Sequence, residues 1–530
     1  MIEYSKMTTE LTLKEKVGQL FMPAAFINDS EEEVRKLERL IKLSKIGGLC
    51  FFHSRASAAT NYEGKKEVLY NKESLSLLKQ LINRYQKVSK TPLLISIDAE
   101  WGLAMRVENT PQYPYAITLG ALEAEDNLIF EVGKNIGIDC RDAGIHWNFA
   151  PVADINSNPN NPVISYRSFG SNKIRVANKS TAMMKGLEAG GVLNSAKHFP
   201  GHGDTATDSH LGLPLIDKTK EELWENELYP FRELVNNGID SIMVGHLSVP
   251  ALADGSTEPS SLSKKIIKGL LREEMGFTGA VVSDALNMHA VSKLYPVKGN
   301  LEWLAFDAGN DVLCFAENVA EGIATILEKG TPDQIETSFK RVWKLKEKAY
   351  SLNQDINMDR TIKQEDLNLQ IAKNAITIAY GNKEVITSFY NSRILGITAG
   401  NNGISKFFES CLNTKEFPVM NINEIQKNQG KDKHQKATKI LLAIYPPSVK
   451  PNNHFGFSTT EIEMINEILA TKEVVIYLFG NPYFMNHLNP SSLNAAILAY
   501  QDFEEFQEMA VKHFLGKLEA NGSIPITLDD

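Results

Sequence analysis

Along the first two-thirds of the chain, short apolar and β-branched runs end in polar or glycine residues and give way to helical spacing. They lie at 18–23, 46–53, 93–100, 145–153, 192–198, 241–246, 280–284 and 311–315. Continuous apolar runs with room for a helix and two loops between them fit parallel strands, because each parallel crossover needs a helix-length connection. Eight such units predict an α/β fold built on a (β/α)8 TIM barrel, which uses about 250 or more residues as one domain. The polar residues support that expectation. His53, Asp98 with Glu100, Lys197 with His198, His246 and Asp284 fall at the C-terminal ends of their runs, the end where barrels of this kind build active sites.

Beyond about residue 350 the texture changes. A polar stretch at 351–366 precedes a second series of apolar runs at 375–379, 394–398, 440–445 and 474–479, interspersed with helical patterns such as 460–470 and 504–515. The expected organisation is a catalytic barrel at 1–350, a linker at 351–366 and a smaller αβα sandwich domain at 367–530. The loops Gly400-Asn401-Asn402-Gly403 and Gly480-Asn481-Pro482 lack the spacing of a phosphate-binding fingerprint. No nucleotide site is expected, and there is no solenoid-type repeat.

Composition narrows the partners. Of 530 residues, 56 are basic and 65 acidic, for a net charge of -9 spread along the chain. Nothing resembles the basic stripe that neutralises nucleic-acid phosphates. No apolar run is long enough to span a bilayer, and the first residues lack the apolar core of an export signal. The chain as written reads as cytoplasmic and monomeric; a signal peptide removed before Met1 would make it periplasmic or secreted. Cys50, Cys140, Cys314 and Cys411 are far apart and form no C-x-x-C pair, so they read as buried reduced thiols.

The densest chemistry lies at 197–210, K-H-F-P-G-H-G-D-T-A-T-D-S-H, with three of the chain's 11 histidines, two aspartates and a lysine. Its Gly-x-Gly turn and its lack of periodicity after Pro200 mark a loop. Asp208 and His210, two apart, can share one side of an extended backbone, so that the carboxylate fixes the imidazole tautomer and supports its positive charge. His210 is then a candidate general acid and base. Asp284 closes the apolar strand 281–283. An aspartate there is often only a helix cap, but opposite a proton donor it is the nucleophile that retaining glycoside hydrolysis requires.

These residues resemble the signature of the glycoside hydrolase family 3 β-N-acetylglucosaminidases. The resemblance rests on K-H-F-P-G-H-G at 197–203 with Asp208-Ser209-His210, on N-F-A-P-V-A at 148–153, on N-P-V-I-S-Y-R-S-F-G at 161–170 and on Ser283-Asp284. It implies a double displacement in which Asp284 attacks the anomeric carbon and His210, paired with Asp208, serves as acid and base. It also implies that Asp98, Arg106, Arg167, Lys197 and His198 hold the terminal sugar, from cell-wall muropeptides or chitin oligosaccharides. No cofactor and no metal is implied. Some members carry an αβα sandwich after the barrel, and G-S-I-P-I-T at 522–527 resembles the motif that ends it.

One loop departs from the pattern. Where many relatives read D-Q-E-G-G-R-V-x-R, this chain has Ala99, Trp101 and Leu103, losing one arginine and gaining a tryptophan that either stacks on a sugar or packs at the rim. Three other readings compete: a metal-dependent barrel hydrolase with His198, His202, Asp204, Asp208 and His210 as ligands, an inactive sugar-binding homologue, and a family 3 enzyme of other sugar preference or a phosphorylase.

Overall fold

A computed structural model describes residues 3–57, 70–205, 212–352, 359–401, 403–426, 436–489 and 492–528. It has an α/β architecture in which helices alternate with short, buried strands. The chain packs into two compact units: 1–113, 129–155 and 176–361 form the first, and 114–128, 156–175 and 362–530 the second.

In the first unit each apolar run of the sequence contains a strand. They are β1 (Phe21–Met22), β2 (Ala24–Phe26), β3 (Gly48–Phe52), β4 (Leu94–Ile97), β5 (Trp147–Asn148), β6 (Ser195–Phe199), β7 (Ser241–Val244), β8 (Ala280–Ser283) and β9 (Leu313–Cys314). The 18–23 run holds β1 alone; β2 lies beyond it, separated by Pro23, which has no N–H to donate. Ladders join β2-β3-β4-β5, β6-β7-β8 and β1-β9, and all are parallel. Isolated parallel bridges, Trp147↔Leu193 and Val282↔Val312, connect the ends of these ladders. Almost every strand residue is buried, which explains why the runs are continuously apolar and do not alternate.

Helices close the crossovers. Glycines four apart let two of them touch: a Cβ on Gly133 would lie 2.5 Å from the Met183 carbonyl oxygen, and one on Gly137 would lie 2.8 Å from Gly190 Cα. At the N-terminal ends of the strands, the ammonium of Lys346 is buried and donates to Gln19 Oε1 at 2.6 Å and to the Pro92 carbonyl at 2.8 Å. Nearby, Asp311 is fully buried and accepts from Arg272 at 2.6 Å, Arg341 at 3.2 Å and the Val281 N–H at 2.9 Å. All four cysteines are free and buried.

The second unit is built on a six-stranded sheet of β10 (Thr377–Tyr380), β11 (Leu395–Ala399), β12 (Val419–Asn421), β13 (Lys439–Ile444), β14 (Glu473–Leu478) and β15 (Ala495–Leu498). Its order is β10-β15-β14-β13-β11-β12, parallel except for β10 against β15. The unit takes in two segments from the barrel side of the expected boundary at 350. Hydrogen bonds are the reason: the Pro525 carbonyl accepts from Ser171 N–H, Ser523 N–H donates to Ala121, and Arg175 donates to Gly120 and Ile524. The expected linker is partly helical, since Pro332–Leu352 runs into it and Gln364–Ala375 begins inside it.

Among the described residues no helix is long and apolar enough to cross a membrane. Burial pushes the Lys346 amine down to about 7. The unfolded chain therefore binds a proton there that the folded one lacks between about pH 7 and 10.5, so this group costs stability increasingly as pH falls through that window and no more below it. Thermal unfolding of Lys346→Met beside the parent should show the variant gaining relative stability from pH 10 down to pH 7, with a flat difference below pH 7. A pH-independent difference would show that the buried amine is not neutral.

Candidate active site

Strand β4 delivers Asp98 one residue beyond its last apolar position, and β6 delivers Lys197 and His198 from within its ladder. The Lys197 side chain, 2% exposed, bonds Asp98 Oδ1 at 2.7 Å and Glu100 Oε1 at 2.7 Å. Arg106 follows the turn Leu103–Met105 and places Nη2 3.1 Å from Asp98 Oδ2, with its Cζ 5.4 Å from the centre of the Phe52 ring. Between the two acids, Ala99 is clamped by Asn148 of β5, which accepts its N–H and donates to its carbonyl, each at 3.0 Å. Burial raises the Asp98 carboxyl, but the Lys197 and Arg106 charges outweigh it and hold the group below its usual range.

His198 is set by a residue that the sequence pattern did not single out. Asp154 is fully buried, takes His198 Nδ1 at 2.8 Å on Oδ2, and accepts the backbone N–H groups of His198 at 3.1 Å and His202 at 2.7 Å. It ends the N-F-A-P-V-A-D run and so gives the same signal, an acid closing an apolar strand segment, that marked Asp98 and Asp284. Burial raises the Asp154 carboxyl, and its bond to His198 and the nearby His202 bring it below the ordinary value. His202 bonds Thr205 Oγ1 through Nδ1 at 2.7 Å. Burial, reinforced by His198, pushes its imidazole down to about 4 although Asp154 and Asp284 pull the other way. Glu100, named only as a strand-end acid, is the second partner of Lys197.

Asp284 leaves β8 partly exposed, its N–H donating to the Val244 carbonyl at 2.9 Å and its Oδ1 accepting the Ala285 N–H at 2.8 Å. His246, two residues beyond β7, is fully buried, with Nδ1 2.7 Å from Ser261 Oγ and Nε2 3.0 Å from the Ala285 carbonyl. At the end of β9 the Cys314 thiol is held far above its ordinary range. Its hydrogen bond to Cys50 contributes most, then burial, then the charges of Cys50, Asp98 and Asp284. Both carboxylates thus lie within electrostatic reach of one thiol.

The other expected residues are placed differently. Asp208 and His210 lie outside the described residues. Arg167 belongs to the second unit, at the end of the turn Ser165–Arg167, with Nη1 donating to the Val163 carbonyl at 3.2 Å. His53 bonds Glu108 at 2.6 Å and Asn28 at 3.1 Å through Nε2, tying the end of β3 to the loop just after Arg106. Trp101 is partly buried, and its carbonyl accepts from Tyr113. Of the residues weighed as metal ligands, His198 is bonded to Asp154, His202 to Thr205, and Asp204 to Lys218 at 2.8 Å. Among the described residues no group of three His, Cys, Asp or Glu side chains is arranged to hold a metal ion.

Comparison with known proteins adds independent findings. The sequence profile described as Glycosyl hydrolase family 3 N terminal domain matches residues 12–345. Beta-hexosaminidase A of Pseudoalteromonas piscicida is 34% identical over 343 residues, 59% of this chain and 55% of its own. The Beta-N-acetylglucosaminidase/beta-glucosidase of Cellulomonas fimi is 28% identical over 351 residues, 64% of this chain and 58% of its own. The chain spans little more than half the length of these curated relatives. The solved structure of a glycoside hydrolase family 3 beta-N-acetylglucosaminidase from Paenibacillus sp. is similar at a TM-score of 0.77 with 27% identity, covering 98% of this chain and 99% of that one.

The charge cluster leads to two expected outcomes. Lys197→Met removes the cation that most opposes burial of Asp98, so the Asp98 carboxyl rises. The acid limb of kcat/KM against pH should move to higher pH; an unmoved limb would separate Asp98 from activity. Asp154→Asn leaves at least one of its three donors poorly matched and should cost about 1–3 kcal/mol in denaturant unfolding, because an unsatisfied buried donor pays its desolvation.

Proposed function

The chain belongs to glycosyl hydrolase family 3, and on that premise we propose that it is a retaining β-N-acetylglucosaminidase. It removes terminal non-reducing β-linked N-acetylglucosamine from cell-wall or chitin-derived oligosaccharides. The observation that carries this proposal is the ring of fixed donors and acceptors, Asp98, Arg106, Lys197 and His198, at the ends of parallel strands that also present Asp284. A sugar is neutral and covered in hydroxyls, so it is recognised by preset hydrogen-bonding groups, and an unmatched buried group penalises the wrong sugar. The activity printed in the names of the two curated relatives and the Paenibacillus enzyme supports the same substrate class.

In this proposal the parallel ladders and their connecting bridges close into a (β/α)8 barrel within 1–350, and 367–530 forms an αβα sandwich across the 351–366 linker. The one-direction pairing and the bridges on both sides of the β6-β7-β8 ladder support the closure. Asp98 accepts from sugar hydroxyls while Lys197, His198 and Arg106 donate, with Arg167 carried over by its motif. Asp284 attacks the anomeric carbon and displaces the aglycone, whose oxygen takes a proton from His210. The same imidazole, supported by Asp208, then removes a proton from the water that releases the sugar.

A 2-acetamido-5-fluoro glycosyl fluoride, which forms the intermediate faster than it hydrolyses, should label one peptide stoichiometrically, with the sugar on Asp284. Label on any other residue overturns the mechanism. Asp284→Ala should lose at least about 10³-fold in kcat. Faster release from an aryl β-glucoside than from the N-acetylglucosaminide would overturn the sugar assignment, and a glycosyl phosphate formed in phosphate buffer would make water the wrong acceptor.

A further inference from the structure

We propose that His246 is a positioning residue for the nucleophile, holding the Ala285 peptide that sets the rotation of the Asp284 carboxylate. The inference rests on Asp284 being the nucleophile. Its support is a closed set of contacts around the two peptide units that succeed Asp284. The first peptide donates the Ala285 N–H to Asp284 Oδ1 at 2.8 Å. The second is held on both edges: its carbonyl, on Ala285, meets His246 Nε2 at 3.0 Å, and its N–H, on Leu286, donates to the Cys314 carbonyl at 3.0 Å. The Asp284 N–H is anchored in turn on the Val244 carbonyl at 2.9 Å. Chain rotation at Ala285 is therefore resisted from β7, from β9 and from the imidazole.

A carbonyl only accepts, so Nε2 carries a proton directed at Ala285, and Nδ1 lies 2.7 Å from the Ser261 hydroxyl. Ser261 is itself fixed, because its carbonyl accepts from Asn310 Nδ2 at 2.8 Å. His246, Ser261 and Asn310 are all fully buried, so water does not compete for the bonds among them. A carboxylate that attacks carbon must approach along the line of the departing bond, and a misplacement of about 1 Å costs on the order of 10²-fold in rate. A buried imidazole that bonds the peptide beside the nucleophile supplies that alignment without touching the sugar.

The test separates binding from bond formation with the same fluorinated inactivator, by measuring Ki and kinact for the full-length protein. His246→Phe fills the space but donates nothing to Ala285; kinact should fall about 30- to 100-fold while Ki stays within about 3-fold. His246→Gln restores a donor near Nε2 and should recover kinact to within about 5-fold of the parent. Ser261→Ala, a change of one hydroxyl, should lower kinact about 5-fold without altering Ki, and it decides the matter if His246→Phe does not fold. Label on Asp284 at parental kinact in folded His246→Phe, or in Ser261→Ala, overturns the inference and leaves the nucleophile assignment standing. Label away from Asp284 in the parent protein instead overturns the assignment on which the inference rests.

Discussion

The site depends on one constraint, the burial of the Lys197 ammonium between two carboxylates. Taking a charge out of water costs several kcal/mol, which only close opposite charges and full hydrogen bonding offset. Asp98 and Glu100 flank the ammonium at 2.7 Å each, and Arg106 adds a second cation 3.1 Å from Asp98. The Lys197 and Arg106 charges hold Asp98 ionised against both its burial and the neighbouring Glu100.

The same logic governs the imidazoles, which are otherwise free to choose a tautomer. His198 is set by a buried carboxylate, His202 by a threonine hydroxyl, His246 by a serine and a backbone carbonyl, and His53 by Glu108. Different partners thus hold four histidines in one unit in four different ways, a division that residue type does not encode. The net charge of -9 is equally silent about a centre that is locally balanced.

Burial along a single strand is the feature most directly legible in the sequence. Runs apolar on both faces marked the strands of the first unit, and the polar residue that ends each run marked Asp98 and Asp284. In the second unit β12 and β15 went unrecognised, since three residues at the sheet edge and an alanine-rich segment carry little β-branched signal. Glu100 was named as a strand-end acid and Asp154 was not named at all, because the importance of both lies in which cation or ring they meet across the fold. His246 stood at a strand end like several other residues, and only its position against the Ala285 carbonyl distinguishes it.

The division of the chain was the least readable feature, and it bears on what the second unit does. The turn that carries Arg167 is assembled by long-range bonds within that unit. Asn481, just beyond β14, donates to Ser165 Oγ at 2.8 Å and to the Val449 carbonyl at 2.9 Å. The Tyr483 hydroxyl accepts from Asn156 Nδ2 at 2.7 Å, and Asn156 Oδ1 accepts the Ser165 N–H at 2.9 Å. These groups are mostly buried, so each bond lost strands a polar atom at a cost of about 1–3 kcal/mol. Ending the chain near residue 350, where the first apolar series stops, would strip the Arg167 turn of the partners that fold it. A module that shapes such a turn is bound to its sequence there, and this is a stronger constraint than serving as a passive appendage.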